Sequence, residues 1–170
     1  KCKKILAYKY ILGINKPQKI EIENLIENLN TADAEWVNRK LYKESITLLA
    51  NNDSILPFKS LDKRKIAAIS VGEPVKNEFH QTLKLYADVD CFSASNKEEL
   101  TSLKKNLEPY NTIIVSIHST RSNVNAAIQN ISKGKDLILS FFIVPYRMGS
   151  YTTSISQSKG VLLAYESSEL

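Results

Sequence analysis

The chain has 170 residues, 43% of them hydrophobic and 24% charged, with 23 Lys+Arg against 18 Asp+Glu for a formal net charge of +5. These proportions suit one soluble globular domain, or one domain with a helical arm. No apolar run reaches the ~20 residues that a bilayer span needs, and the basic residues fall in short runs (Lys3-Lys4, Lys63-Arg64-Lys65, Lys104-Lys105) with acids nearby rather than in one stripe, so neither a membrane span nor a nucleic-acid partner is expected.

The chain begins at Lys1 rather than Met, which suggests a bounded piece of a larger polypeptide. Lys3 to Leu12 reads as a helix stopped by Gly13, and Lys16-Pro17 marks a break. Asn30 and Asp33 read as a capping box opening a second helix, with Val37, Leu41 and Leu48 along one side. That helix has no clear end, because Ile46 to Leu49 could equally begin a strand. Asn51 to Ser54 is turn chemistry, and the pattern changes near Pro57.

From Lys65 strands and helices alternate. Ile66 to Val71 is an almost wholly apolar run ending at Gly72, as a strand covered on both faces should be. Val75, Phe79, Leu83 and Tyr86 recur at helical spacing. A weaker strand is expected around Val89 to Phe92, where Cys91 reads as a small buried residue. Ser95 and Glu98 form a second capping box ahead of Leu100, Leu103 and Leu107. The strand Ile113 to Ile117 follows, then a helix with Val124, Ala127, Ile128 and Ile131 inward and Gly134 as its stop. Leu137 to Val144 is the most hydrophobic strand, closed by Pro145. A poorly patterned polar stretch leads to a last strand, Val161 to Tyr165.

Five strands joined by helical connections predict an α/β fold: a three-layer α/β/α sandwich around a mostly parallel, doubly wound, flavodoxin-like sheet. Ile69, Val115, Leu139 and Phe141 should lie in its core. Residues 1–57 should form an N-terminal helical arm and residues 58–170 the sandwich. Ligands of open α/β sheets gather at the carboxyl ends of the strands. Glu73, His118, Arg121, Tyr146 and Arg147 are therefore the candidates for contact with a sugar or a neighbouring domain.

Several chemistries fail on the residues. A dinucleotide site needs three glycines after the first strand; the sequence offers Gly72 alone, followed by Glu73, whose charge repels phosphate. Ser119 follows a strand, but His118 and Thr120 beside it leave no room for the glycine-flanked elbow of a serine hydrolase. His80 and His118 are the only histidines, and neither has a partner at metal-ligand spacing. No catalytic residue, metal or cofactor is expected. Two cysteines, Cys2 and Cys91, are too few for a framework of bridges and should be unpaired.

The order of the motifs carries more. Lys4 to Ile14 resembles the helix that leaves the barrel domain of family 3 glycoside hydrolases, and Glu44 to Phe58 is similar to the segment opening their second domain. Lys65 to Gly72 resembles that domain's first strand. Phe142 to Tyr146 is similar to a family strand end, with Ile143 and Val144 where glycine and asparagine are usual. Leu162 to Glu166 resembles the strand after it. Ala50 stands where the family has a lysine.

The resemblance implies a non-catalytic second domain that packs on the catalytic barrel of the same polypeptide and lines its carbohydrate cleft. The nucleophilic aspartate belongs to the barrel, so this chain alone should be inactive. Relatives acting on glucosides often take their general acid from a glutamate on this domain, whereas those acting on N-acetylglucosaminides use a barrel loop. The stretch His118 to Asn125 holds no carboxylate, which points to a parent hydrolysing terminal β-N-acetylglucosaminides. The sequence does not set the compartment, and an extracytoplasmic parent is compatible with it. The alternative is a free-standing flavodoxin-like module with its own small ligand.

Overall fold

In the computed structural model, residues 2–16, 22–121 and 123–166 are described. The chain divides into two compact units, one up to Arg39 and one from Lys40 onward.

The first unit holds helices α1 (Cys2–Ile11) and α2 (Leu25–Leu29) and most of α3 (Ala32–Ser45), across which the division falls. Gly13 stops α1 as expected, in the left-handed conformation. The cap of α3 is Thr31, not Asn30: Thr31 Oγ1 accepts from Ala34 N–H at 3.2 Å. Asn30 instead closes the helix before it, its amide donating to Ile26 O at 2.8 Å. None of the described residues of this unit is buried, and α1 exposes Ile5, Leu6, Tyr8, Tyr10 and Ile11 together.

The second unit is the α/β sandwich. Its strands are β1 (Thr47–Asn51), β2 (Ile66–Val71), β3 (Val89–Ala94), β4 (Thr112–Ile117), β5 (Asp136–Phe141) and β6 (Gly160–Leu163), in the order β1-β6-β5-β4-β2-β3. All pairs are parallel except β1 with β6. Without β1, the order is that of a flavodoxin-like sheet. The sheet thus has six strands rather than five, and the stretch before Pro57 is not helical throughout. Its last part is an edge strand whose Leu48 and Leu49 stay half exposed, which is why the apolar pattern there was ambiguous.

The pleat sends alternate side chains to two cores. Ile69, Val115, Leu139 and Phe141, all buried as expected, face α5 (Lys97–Ser102), α6 (Asn125–Ser132) and the start of α7 (Thr152–Gln157) through Leu100, Ile128, Ile131 and Tyr151, the residue that precedes α7. Ile66, Ala68, Ile114 and Ile138 face the other way, under α4 (Glu78–Lys84) and the segment carrying Ile55, Leu56 and Phe58. Asn51 ties that segment down: its side chain accepts from Leu56 N–H at 2.9 Å and donates to Leu56 O at 2.8 Å.

The second capping box also sits one residue later than expected. Asn96 accepts from Glu99 N–H at 2.9 Å, and the Glu99 carboxylate accepts from Ser95 N–H at 2.7 Å. Helix α7 lies in the stretch that showed no pattern. Its sequence is Thr-Thr-Ser-Ile-Ser-Gln, poor in strong helix formers, and a tertiary contact holds it: buried Ser154 donates its N–H to Asn125 Oδ1 at 3.2 Å and its hydroxyl to the same residue. Cys2 and Cys91 are both free thiols.

At the amino ends of the strands, Arg64 donates to Asp136 at 2.9 Å and to Thr112 Oγ1 at 3.0 Å, while its guanidinium lies 4.6 Å from the centre of the Phe58 ring. Lys159 reaches the other Asp136 oxygen at 3.0 Å and Asp53 at 3.5 Å. Burial alone would raise the Asp136 pKa, but the hydrogen bonds from Lys159 and Arg64 outweigh it and hold the carboxyl below its usual range.

Truncating Leu139 to Ala should cost about 2–5 kcal/mol of unfolding free energy by leaving a cavity in a closed core. Leu85→Ala, on an exposed position, should change it by less than about 0.5 kcal/mol. Urea denaturation of both variants checks the contrast.

Candidate functional site

Doubly wound sheets open a crevice where the strand order reverses, here between the carboxyl ends of β2 and β4. A cavity of about 580 Å³ lies there. The loop after β2 gives Gly72, and the loop after β4 gives His118, Ser119, Thr120 and Arg121. The chain leaving β5 gives Phe142, Ile143, Val144 and Arg147, and Tyr165 follows β6.

Of the five residues expected at the strand ends, the cavity gathers His118, Arg121 and Arg147. Glu73 is half-buried beside Gly72 but does not line it, and Tyr146 is 94% exposed on the turn before Arg147, also outside the lining. Phe142, Ile143, Val144 and Tyr165 were expected inside strands. Both strands end sooner: Phe142 N–H bonds to Ile117 O at 2.9 Å and Ala164 N–H to Phe141 O at 2.8 Å, the last rungs before the backbone turns away. Tyr165 then has a positive φ of 66°, which takes it off the strand path.

The two central loops approach closely. His118 N–H bonds to Val71 O at 2.9 Å, and Gly72 N–H to Ala94 O at 3.1 Å. Gly72 has φ +90°, and a Cβ there would stand 2.4 Å from Ser119 Cβ. Only glycine fits both the conformation and the gap.

Below the cavity lies a buried polar chain. Val75 O can only accept, so His80 Nδ1 carries the proton it donates there at 2.8 Å. His80 Nε2 therefore accepts from the Ser70 hydroxyl at 3.0 Å. Ser70 Oγ in turn accepts from Asn77 Nδ2 and from Ser116 Oγ, each at 2.8 Å. Asn77 also caps α4, accepting from His80 N–H at 2.9 Å. Above this chain His118 stacks on Phe142, with ring centres 4.5 Å apart and planes 6° from parallel, and Phe79 meets both rings edge-on.

Burial, aided by repulsion from His80, lowers the His118 pKa to about 4. Burial lowers that of His80 as well, against the pull of the Val75 carbonyl. Both imidazoles are neutral at pH 7, and among the described residues no Asp or Glu lines the cavity. Among the described residues, no group of His, Cys, Asp and Glu is arranged to hold a metal ion, and no helix is long and apolar enough to cross a membrane.

No family model and no curated protein matches the sequence. Solved structures do match in fold. A β-glucoside phosphorylase, BglX, superposes with a TM-score of 0.61 at 16% identity, covering 97% of this chain and 33% of its own. A β-glucosidase from Listeria innocua gives a TM-score of 0.60 at 13% identity, covering 82% and 24%. A fungal multi-domain GH3 β-N-acetylglucosaminidase gives 0.60 at 19% identity, covering 88% and 17%. The chain thus spans a third or less of each of these structures, and at such identities the likeness is one of fold.

Two outcomes follow. Gly72→Ala should cost at least about 2 kcal/mol, combining a strained backbone with a clash, read as a lowered denaturation midpoint. Between pH 7.5 and 4.5, stability should fall with acid. An unfolded histidine takes up its proton near pH 6.5, whereas folded His118 resists protonation down to about pH 4. The loss therefore sets in as pH falls through about 6.5 and, discounted for partial exposure, grows to about 2 kcal/mol for His118 at the lower limit. His118→Phe should flatten the slope, and a wild-type stability constant over this range would contradict the assignment.

Proposed function

We propose that this chain is the non-catalytic second domain of a family 3 glycoside hydrolase, packed on a catalytic barrel of the same polypeptide and lining its sugar cleft with the rim around His118. The observation that carries this reading is one of coverage: the fold likeness takes in 82–97% of this chain but 17–33% of three glycoside-processing enzymes. The motifs from Lys4 to Glu166, which resemble family 3 segments in their order, support the same reading.

The division of labour follows from the chemistry. Retaining hydrolysis of a glycoside needs two carboxyl groups about 5 Å apart across the scissile bond. The cavity here offers hydroxyls, guanidinium groups and an aromatic pair, but among the described residues no carboxylate. Ser119, Thr120, Arg121 and Arg147 would hydrogen-bond sugar hydroxyls, while the nucleophile and the acid come from the barrel. The apolar residues exposed on α1 supply the surface that the barrel covers, since an isolated ten-residue helix is marginal in water. With no acid on the loop after β4, the parent acts on terminal β-N-acetylglucosaminides.

One observation favours a second reading, a free-standing flavodoxin-like module: its cavity occupies the switch point where such folds bind small ligands.

The purified chain should not turn over chromogenic β-glucosides or N-acetyl-β-glucosaminides, and the full polypeptide should prefer the latter. Glu73→Gln in the full polypeptide should keep turnover within about twofold, because loss of a general acid costs about 10²–10⁴. A glucoside preference, or a loss of that size, would overturn the substrate assignment.

A further inference from the structure

The cavity carries more positive charge than hydrogen bonding to neutral sugar hydroxyls requires. Arg121 and Arg147 both line it, and among the described residues neither makes an ion pair. The other end of the sheet is built differently: there Arg64 and Lys159 are both neutralised by Asp136, with Asp53 also on Lys159. The described acids that flank the lining in sequence do not redress the balance. Glu73 lies outside the lining, and Glu166 accepts a hydrogen bond from the Tyr42 hydroxyl.

Two guanidinium groups at one concavity repel each other, and a bound anion relieves that repulsion while using their planar, paired donors. Ser119 and Thr120 add hydroxyl donors, and Phe142, Ile143 and Val144 form an apolar wall beside them.

We propose that this cavity binds an oxyanion, the phosphate or carboxylate of a sugar-sized molecule, held by Arg121 and Arg147 with its carbon skeleton against the Phe142–Val144 wall. The proposal goes beyond the domain assignment and holds whether or not a barrel packs against this face. Both arginines are exposed, so binding is weak and salt-sensitive.

The test is an NMR titration of the whole chain with inorganic phosphate, glucose 6-phosphate, glucuronate and glucose. At least one charged ligand should bind in the millimolar range, shifting amides of the loop after β4 and the turn carrying Arg147, with glucose about tenfold weaker or silent. Response to the phosphates alone, to glucuronate alone, or to both identifies the oxyanion. Raising NaCl from about 0.05 M to about 0.5 M should weaken binding severalfold. Arg121→Gln and Arg147→Gln should each weaken it about threefold or more, and together about tenfold or more. Both positions are on the surface, so the variants should fold; if the double variant does not, the single variants and the salt series decide. Glucose binding as tightly as the charged ligands, affinity indifferent to salt and to both substitutions, or no binding of any charged ligand up to about 50 mM would overturn the proposal.

Discussion

The in-register pairing of β2 with β4, from Ile66 against Thr112 to Val71 against Ile117, is the constraint on which the site end of the molecule depends. These neighbours in space are not neighbours in sequence; α4, β3 and α5 intervene and β3 takes the outer edge. Equal register makes both strands end at the same height, so Gly72 and His118 emerge side by side. The loop after β4 can then lie against the β2 loop only because Gly72 has no side chain. The crevice thus follows from backbone geometry, before any functional side chain is placed.

The same pairing explains the polar chain beneath. Ser70 and Ser116 are register partners, so their hydroxyls meet at 2.8 Å inside the sheet's second face. Buried hydroxyls need partners, and His80 and Asn77 from α4 supply them. The network holds α4 on the sheet, and α4 in turn presents Phe79 to the stacked pair of His118 and Phe142. A neutral His80 is integral to it: its Nε2 accepts from Ser70, and a proton there would turn that acceptor into a second donor. The two ends of the sheet therefore differ in electrostatic design. Opposite charges clamp the amino ends, whereas neutral imidazoles and two guanidinium groups, without ion pairs among the described residues, meet at the carboxyl ends.

Much of this was legible in the sequence because buried parallel strands leave continuous apolar runs, and Ile66 to Val71 or Ile113 to Ile117 have no other reading at that length. What was not legible has local causes. An edge strand such as β1 is only half covered, so its pattern resembles a helix end. Caps slipped by one residue, at Asn30 and Ser95, where adjacent polar side chains can serve equally and three-dimensional geometry chooses. Helix α7 rests on Ser154 meeting Asn125, a contact distant in sequence. At the site, the strand-end rule found His118, Arg121 and Arg147 but not Phe142 to Val144 or Tyr165. Those residues continue apolar runs, and they leave the strands only because the ladder of partners stops.

The proposed assignment to a larger glycoside hydrolase is tested by the coding sequence on the amino-terminal side of Lys1. The proposal requires an in-frame extension of about 250–300 residues, the size of a catalytic barrel, with a nucleophilic aspartate in it. A reading frame that opens at the helical arm, with no such domain before it, would contradict it.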